Sequence, residues 1–286
     1  MKSVNTKQLA VIAGIVILIV LLLFANTKLP EKDKVAAESG HAGHTNASSI
    51  EPLIETARKL LPDEQKQRAK QLEEATVNAA DKKTAFEAII NLMDSVRQPL
   101  LAAHFMEKAA LASSTEKNWE EAGNRYFMAT RFFKEEEKPA LYAKAMEAFE
   151  KVLQINPANT EVRINLASCY VEGPEPMKGI TMLREIEKTD SNNVNLQLNF
   201  AFFSQRSGQW DKAIARFNKV LKIQPDFVEA YLHLADAYEQ KGDKQGAIES
   251  LKSYMSKTDD VTIKAEVQNY INQLSRESAP GEEHKH

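Results

Sequence analysis

Cysteine is almost missing from this chain. Cys169 stands alone among 286 residues, which excludes an internal disulfide and a zinc site built on paired thiolates. Glycine and proline are sparse at ten each, and aromatic residues make up 7%. That scarcity disfavours a strand-and-turn fold and points to an all-α one. There is no basic excess either, because 37 Lys and Arg face 40 Asp and Glu for a formal charge of -3. Without a positive field to release counterions from a phosphate backbone, nucleic acid drops out as the main partner.

Catalytic signatures are lacking as well. The sequence has no HExxH, no Gly-rich phosphate loop, no GxSxG elbow and no CxxC. His104 and His233 each fall inside a predicted helix with no acid-base partner or nucleophile close in sequence, so both read as structural histidines. His41 and His44, with His284 and His286, lie in polar segments and amount to half a zinc site at best. The expectation is a non-enzyme with no cofactor and no metal. An enzyme on helical pairs, with carboxylates meeting only in space, is the remote alternative.

One long apolar run is present. Leu9 to Ala25 is unbroken and follows a short amino end that carries Lys2 and Lys7 but no acid. Seventeen residues make a helix of about 26 Å, near the lower limit for crossing a bilayer. The sequence predicts a cytoplasmic segment at 1–8, a transmembrane anchor at 9–27 and a flexible linker at 28–49. The competing reading is a signal peptide cleaved after Ala25. The anchor reading gives a single-pass protein of a bacterial inner membrane whose large C-terminal domain lies in the periplasm.

Apolar spacing then predicts helices to the end of the ordered chain. Residues 50–115 read as divergent helical pairs, with Phe86, Ile89, Ile90 and Met93 on one stripe and a mostly charged helix before it. In 116–159, Trp119, Ala122, Gly123 and Tyr126 are followed late by Ala145, Phe149, Val152 and Pro157. Ten inserted residues are expected to lengthen both helices of that hairpin, with Glu135, Glu136 and Glu137 at its tip. From Thr160 the same marked places recur every 34 residues: Leu166, Ala167, Tyr170 and Gly179, then Phe200, Ala201, Ser204 and Ala213, then Leu234, Ala235, Tyr238 and Ala247. The units run 160–193, 194–227 and 228–261. Gly208 and Gly242 fall at the turns inside two of them, where a positive φ suits glycine. Residues 262–276 read as a capping helix and 277–286 as a disordered tail.

This pattern resembles the tetratricopeptide repeat, a helix-turn-helix unit of that period with the signature W-x2-L-G-x2-Y, A-x3-F and P. The resemblance implies a right-handed α-solenoid whose first helices line a concave face able to hold a peptide or a partner's helix. Projected onto this chain, that face comprises Asn124, Phe127, Ile164, Ser168, Val171, Asn195, Leu198, Phe202, Arg206, Glu229, Leu232, Asp236 and Glu239. Leu198, Phe202 and Leu232 would form an apolar floor beside Asp236 and Glu239. The Lys and Asn pair with which the family's chaperone-binding members clamp a C-terminal carboxylate is missing, because Leu198 with Phe202, or Ile164 with Ser168, stands there. The implied role is a membrane-tethered interaction module or scaffold for an envelope assembly, quality-control or biogenesis complex. Its partners would be envelope proteins, and self-association into a structural scaffold is the second reading.

Overall fold

The computed structural model describes residues 49–278. The predicted anchor at 9–27, nearly all of the linker and the last eight residues lie outside the described residues. No helix among the described residues is long and apolar enough to cross a membrane.

The described residues are helical throughout, with no strand among them. Four helices come first: α1 (Glu51–Lys59), α2 (Asp63–Asn78), α3 (Lys82–Ser95) and α4 (Pro99–Ala112). Four hairpins follow. They pair α5 (Glu116–Ala129) with α6 (Lys138–Ile155), α7 (Thr160–Glu172) with α8 (Pro176–Thr189), α9 (Val194–Arg206) with α10 (Trp210–Ile223), and α11 (Glu229–Lys241) with α12 (Lys244–Lys257). A last helix, α13 (Val261–Ser278), lies against α12 with Ile271 and Leu274 buried.

Local chemistry explains the helix ends. Asp81, Thr115, Asn159, Asn193 and Asp243 each accept a backbone N–H of the first helical turn, which satisfies a donor that the helix itself leaves open. Gly242 stops α11 in the left-handed region at φ 88°, and Gly208 turns the chain after α9 at φ 70°. In α2 only Ala69 and Thr76 are buried, whereas α3 buries Ala85, Phe86, Ile89, Ile90 and Met93. The charged helix thus shields the apolar one.

The hairpin of α5 and α6 departs from the expectation that both its helices lengthen. Helix α5 has 14 residues, much like the 13 of α7, α9 and α11; α6 alone is long, at 18 residues against 14 for α8 and α10. The rest of the insertion forms a 3-10 turn, Thr130–Phe132, and a short loop. Phe133 has extended backbone and Pro139 opens α6, so helix cannot run through the segment. Glu135 and Glu136 are exposed beside this turn, and Glu135 pairs with Lys138.

The core is not uniform. One continuous apolar cluster runs from Ile50 through Tyr170, and three small ones follow it around α7–α9, α9–α11 and α11–α13. Helix α6 packs broadly on α7, and α10 on α11, but α8 meets α9 over little of its length. One register position differs at the same place. Leu153, Leu221 and Met255 occupy equivalent places 34 residues or multiples of 34 apart and pack onto their clusters. In α8 that place holds Glu187, which turns to Arg216 instead.

Candidate functional site

The first helices of the hairpins lie side by side, and polar side chains tie each to the next. Asn165 Nδ2 donates to Asn124 Oδ1 at 3.1 Å, which joins α7 to α5. The Ser168 hydroxyl sits between its own Ile164 carbonyl at 2.9 Å and Asn199 Oδ1 at 2.6 Å, and joins α7 to α9. Gln205 donates to Asp236 at 2.8 Å, and Tyr270 of α13 donates to Glu239 at 2.6 Å. At the ends of these helices Glu116 accepts from Asn156 and Asn159, and Glu161 accepts from Asn193 and Asn195. A buried or half-buried amide must be satisfied, so this ladder fixes the spacing of the face as well as joining it.

Several of the predicted face residues are spent on this ladder. Asn124, Asn195, Asp236 and Glu239 are in it, and Arg206 pairs with Glu172 across two hairpins. Ile164 and Ser168 are buried, and so present no binding surface. The reason is the close approach of α9, whose Leu196 packs with Ile164, Leu183 and Ile186. Phe127 is half-buried against Tyr142, with ring centres 6.0 Å apart, and Val171 faces a different cleft. Glu229 is exposed.

The remaining residues converge. Phe202 is 37% exposed and stands edge-on to Phe217 at 5.6 Å and to His233 at 4.9 Å; His233 in turn stacks on Phe217 at 5.3 Å. Leu198 and Leu232 are half-buried on the cores to either side. Burial lowers the His233 imidazole from its ordinary pKa, which favours the neutral ring, and its stacking on Phe217 makes it part of an aromatic floor. Burial, and after it the nearby Glu239, raises the Asp236 carboxyl. Farther along the row, Glu116, Glu120, Glu121 and Asn124 border a hollow of about 400 Å³ with Lys117. Desolvation, then Glu116 and Glu161, pushes Glu120 upward. A cation brought to either place would relieve like-charge repulsion. No group of metal-ligating side chains with the makings of an ion site occurs among the described residues.

Sequence reasoning did not find Asn165, Asn199 or Gln205. The signal was there in part: Asn159 and Asn193, like Asn165 and Asn199, are 34 residues apart. Each of these amides reaches back to the hairpin before it: Asn159 to Glu116, Asn193 to Glu161, Asn165 to Asn124 and Asn199 to Ser168.

Family models described as TPR repeat or tetratricopeptide repeat match residues 141–198, 206–242 and 229–257. Within those residues the hairpins are tetratricopeptide repeats. A crystal structure of a tetratricopeptide repeat protein from Parabacteroides merdae ATCC 43184 is 16% identical and covers 80% of this chain and 87% of its own, with a TM-score of 0.52. That likeness is one of fold. The crystal structure of PilW, described as a widely conserved type IV pilus biogenesis factor, is 20% identical with a TM-score of 0.47 over 70% of this chain and 91% of that one. Cellulose synthase operon protein C of Escherichia coli (strain K12) is 26% identical over 141 residues, which is 47% of this chain. The match spans only 12% of that relative's length.

Proposed function

We propose that the chain is a protein-interaction module that seats a peptide or a helix of a partner along the face of its first helices. The observation that carries this reading is Phe202, a large apolar side chain left 37% exposed between Leu198 and Leu232, with Asp236 and Glu239 beside it. An exposed aromatic at the centre of a row of repeats lowers solubility unless a partner covers it. Packing against Phe217 and His233 holds the ring in one place, so little entropy is lost when a partner covers it. The acids on the same face favour a partner that presents Lys or Arg next to an apolar residue.

Residues 9–27 anchor this module in a membrane, and residues 28–49 give it reach. In a diderm bacterium the repeats stand in the periplasm and serve an envelope assembly, quality-control or biogenesis complex. The support is the apolar run after a basic, acid-free amino end.

The test is crosslinking in native membranes, comparing wild type with Phe202→Ala plus Leu232→Ala. Loss of one or more partners from the crosslinked set is expected, and an unchanged set rules out the face. Light scattering on the same two proteins separates the alternative of self-assembly, in which the pair of substitutions lowers the mass.

A further inference from the structure

A second surface lies where α8 and α9 fail to close. The cleft has a volume of about 550 Å³, and the second helices α8 and α10 wall it over one stripe of α9. That stripe is Phe200, Phe203, Ser204 and Ser207, the i, i+3, i+4, i+7 spacing of a single helix face. It is not the Phe202 face, because each step along a helix turns the side chain by about 100°. Phe200 and Phe203, with Val171 and Ile180, make the cleft apolar inside. The two serine hydroxyls donate to carbonyls of α9 itself, at 2.7 Å for Ser204 and 2.9 Å for Ser207, so they ask nothing of a ligand.

The rim is cationic. Arg184, Lys212 and Arg216 border the cleft with Glu187 as the sole carboxylate among its lining residues. Arg216 lies over the Phe200 ring at 4.5 Å and takes up Glu187. Arg184 is exposed and makes no ion pair among the described residues, and Lys212 reaches only the neutral Gln209 amide. Two cationic charges are therefore uncompensated at the mouth of an apolar slot. We propose that this cleft is a second docking surface, taking a protein segment whose large apolar side chains are flanked by carboxylates. The apolar side chains fill the slot over Phe200 and Phe203, and the flanking Asp or Glu meets Arg184 and Lys212. This surface opposes the acidic first-helix face in charge, so the two sort different partners.

The experiment uses the full chain and two fluorescein-labelled 12-residue peptides with the same Phe and Leu spacing, one carrying Glu between them and one carrying Lys. Anisotropy titration is expected to show at least tenfold tighter binding of the Glu peptide, weakening as salt rises. Arg184→Glu with Lys212→Glu changes exposed side chains only, and should cost the Glu peptide tenfold or more while favouring the Lys peptide. Ala215→Trp places a ring in the slot from an exposed position of α10 and should abolish binding of both. Phe202→Ala with Leu232→Ala, which tests the other face, should leave the Glu peptide unaffected. Equal affinity for the two peptides, no binding of the Glu peptide, wild-type affinity in the charge-reversed protein, or loss of binding with the Phe202 pair would each overturn the proposal.

Discussion

Tyr126 donates its phenolic hydrogen to Glu107 at 2.5 Å, and Lys144 closes on the other oxygen of that carboxylate at 3.0 Å. Three helices, α4, α5 and α6, are thereby pinned at one point inside the continuous core. Tyr126 is wholly buried, and burial followed by the Glu107 charge drives its hydroxyl far above the ordinary range. Tyr126→Phe leaves a carboxylate with one partner fewer and is expected to cost about 2 kcal/mol, the usual worth of a hydrogen bond to a charged group. Urea denaturation of the two proteins measures it, and a difference within error would show that water replaces the hydroxyl.

Close helix approach inside a repeat can be tested at Gly179. A methyl built there would lie 2.3 Å from the Ala167 carbonyl oxygen and 2.7 Å from the Val171 nitrogen, and backbone cannot step aside as a side chain does. Gly179→Ala is expected to cost about 3 kcal/mol by forcing α7 and α8 apart. Gly208→Ala meets nothing within 4 Å and suffers only from its φ of 70°, so about 1 kcal/mol is expected. Gly123→Ala should fall between them, since its new contact at 2.6 Å is with the Phe149 ring. The order of the three urea midpoints is the measurement.

Stability should begin to fall at an unusually high pH. Burial first, and then Lys108 and Arg58, hold His104 at about 4 against an ordinary 6.5; Glu107 and Glu73 oppose this only in part. The folded chain prefers the neutral ring, so the unfolded chain binds the proton first, and stability drops as pH falls from 6.5 towards 4. Glu73 has the same sign in a lower window: hydrogen bonding from Arg58, then Lys108, outweighs burial and holds it at about 2 against 4.5, so its contribution is lost below 4.5. Solvent screening at a partly open ring limits the His104 effect to about 2 kcal/mol. His104→Gln should flatten most of the slope of unfolding free energy between pH 6.5 and 4.5. His233, lowered chiefly by burial, adds to the slope with the same sign, whereas the raised Asp236 and Glu120 carboxyls oppose it.

Some of this could be read without a structure. A 34-residue recurrence of small and large apolar residues fixes hairpin packing because only Ala or Gly lets two helices touch at Ala201 and Ala213, or at Ala235 and Ala247. Turn positions were legible for the same kind of reason, as Gly208 and Gly242 both have positive φ. Ile164 and Ser168 were not, since their burial depends on how near α9 comes, which is a property of the next repeat. The insertion after Tyr126 was visible in length but not in form. Glu187 was visible as well, standing in register with Leu153, Leu221 and Met255, but a charge at an apolar place reads as surface until the neighbouring helix is seen to stand off.

That one carboxylate also marks where the array changes character. Up to Tyr170 the apolar contacts form one body, and beyond it each cluster is small and joined to the next through a few side chains. Between α8 and α9 the joint is a compact set of side chains, Leu196 against Leu183 and Ile186 together with the bonds of Arg216 to Glu187 and Asn193 to Glu161. Successive helices meet least at this seam, so a load applied along the row of repeats is expected to open it here first, as a hinge between a larger block and a lighter arm.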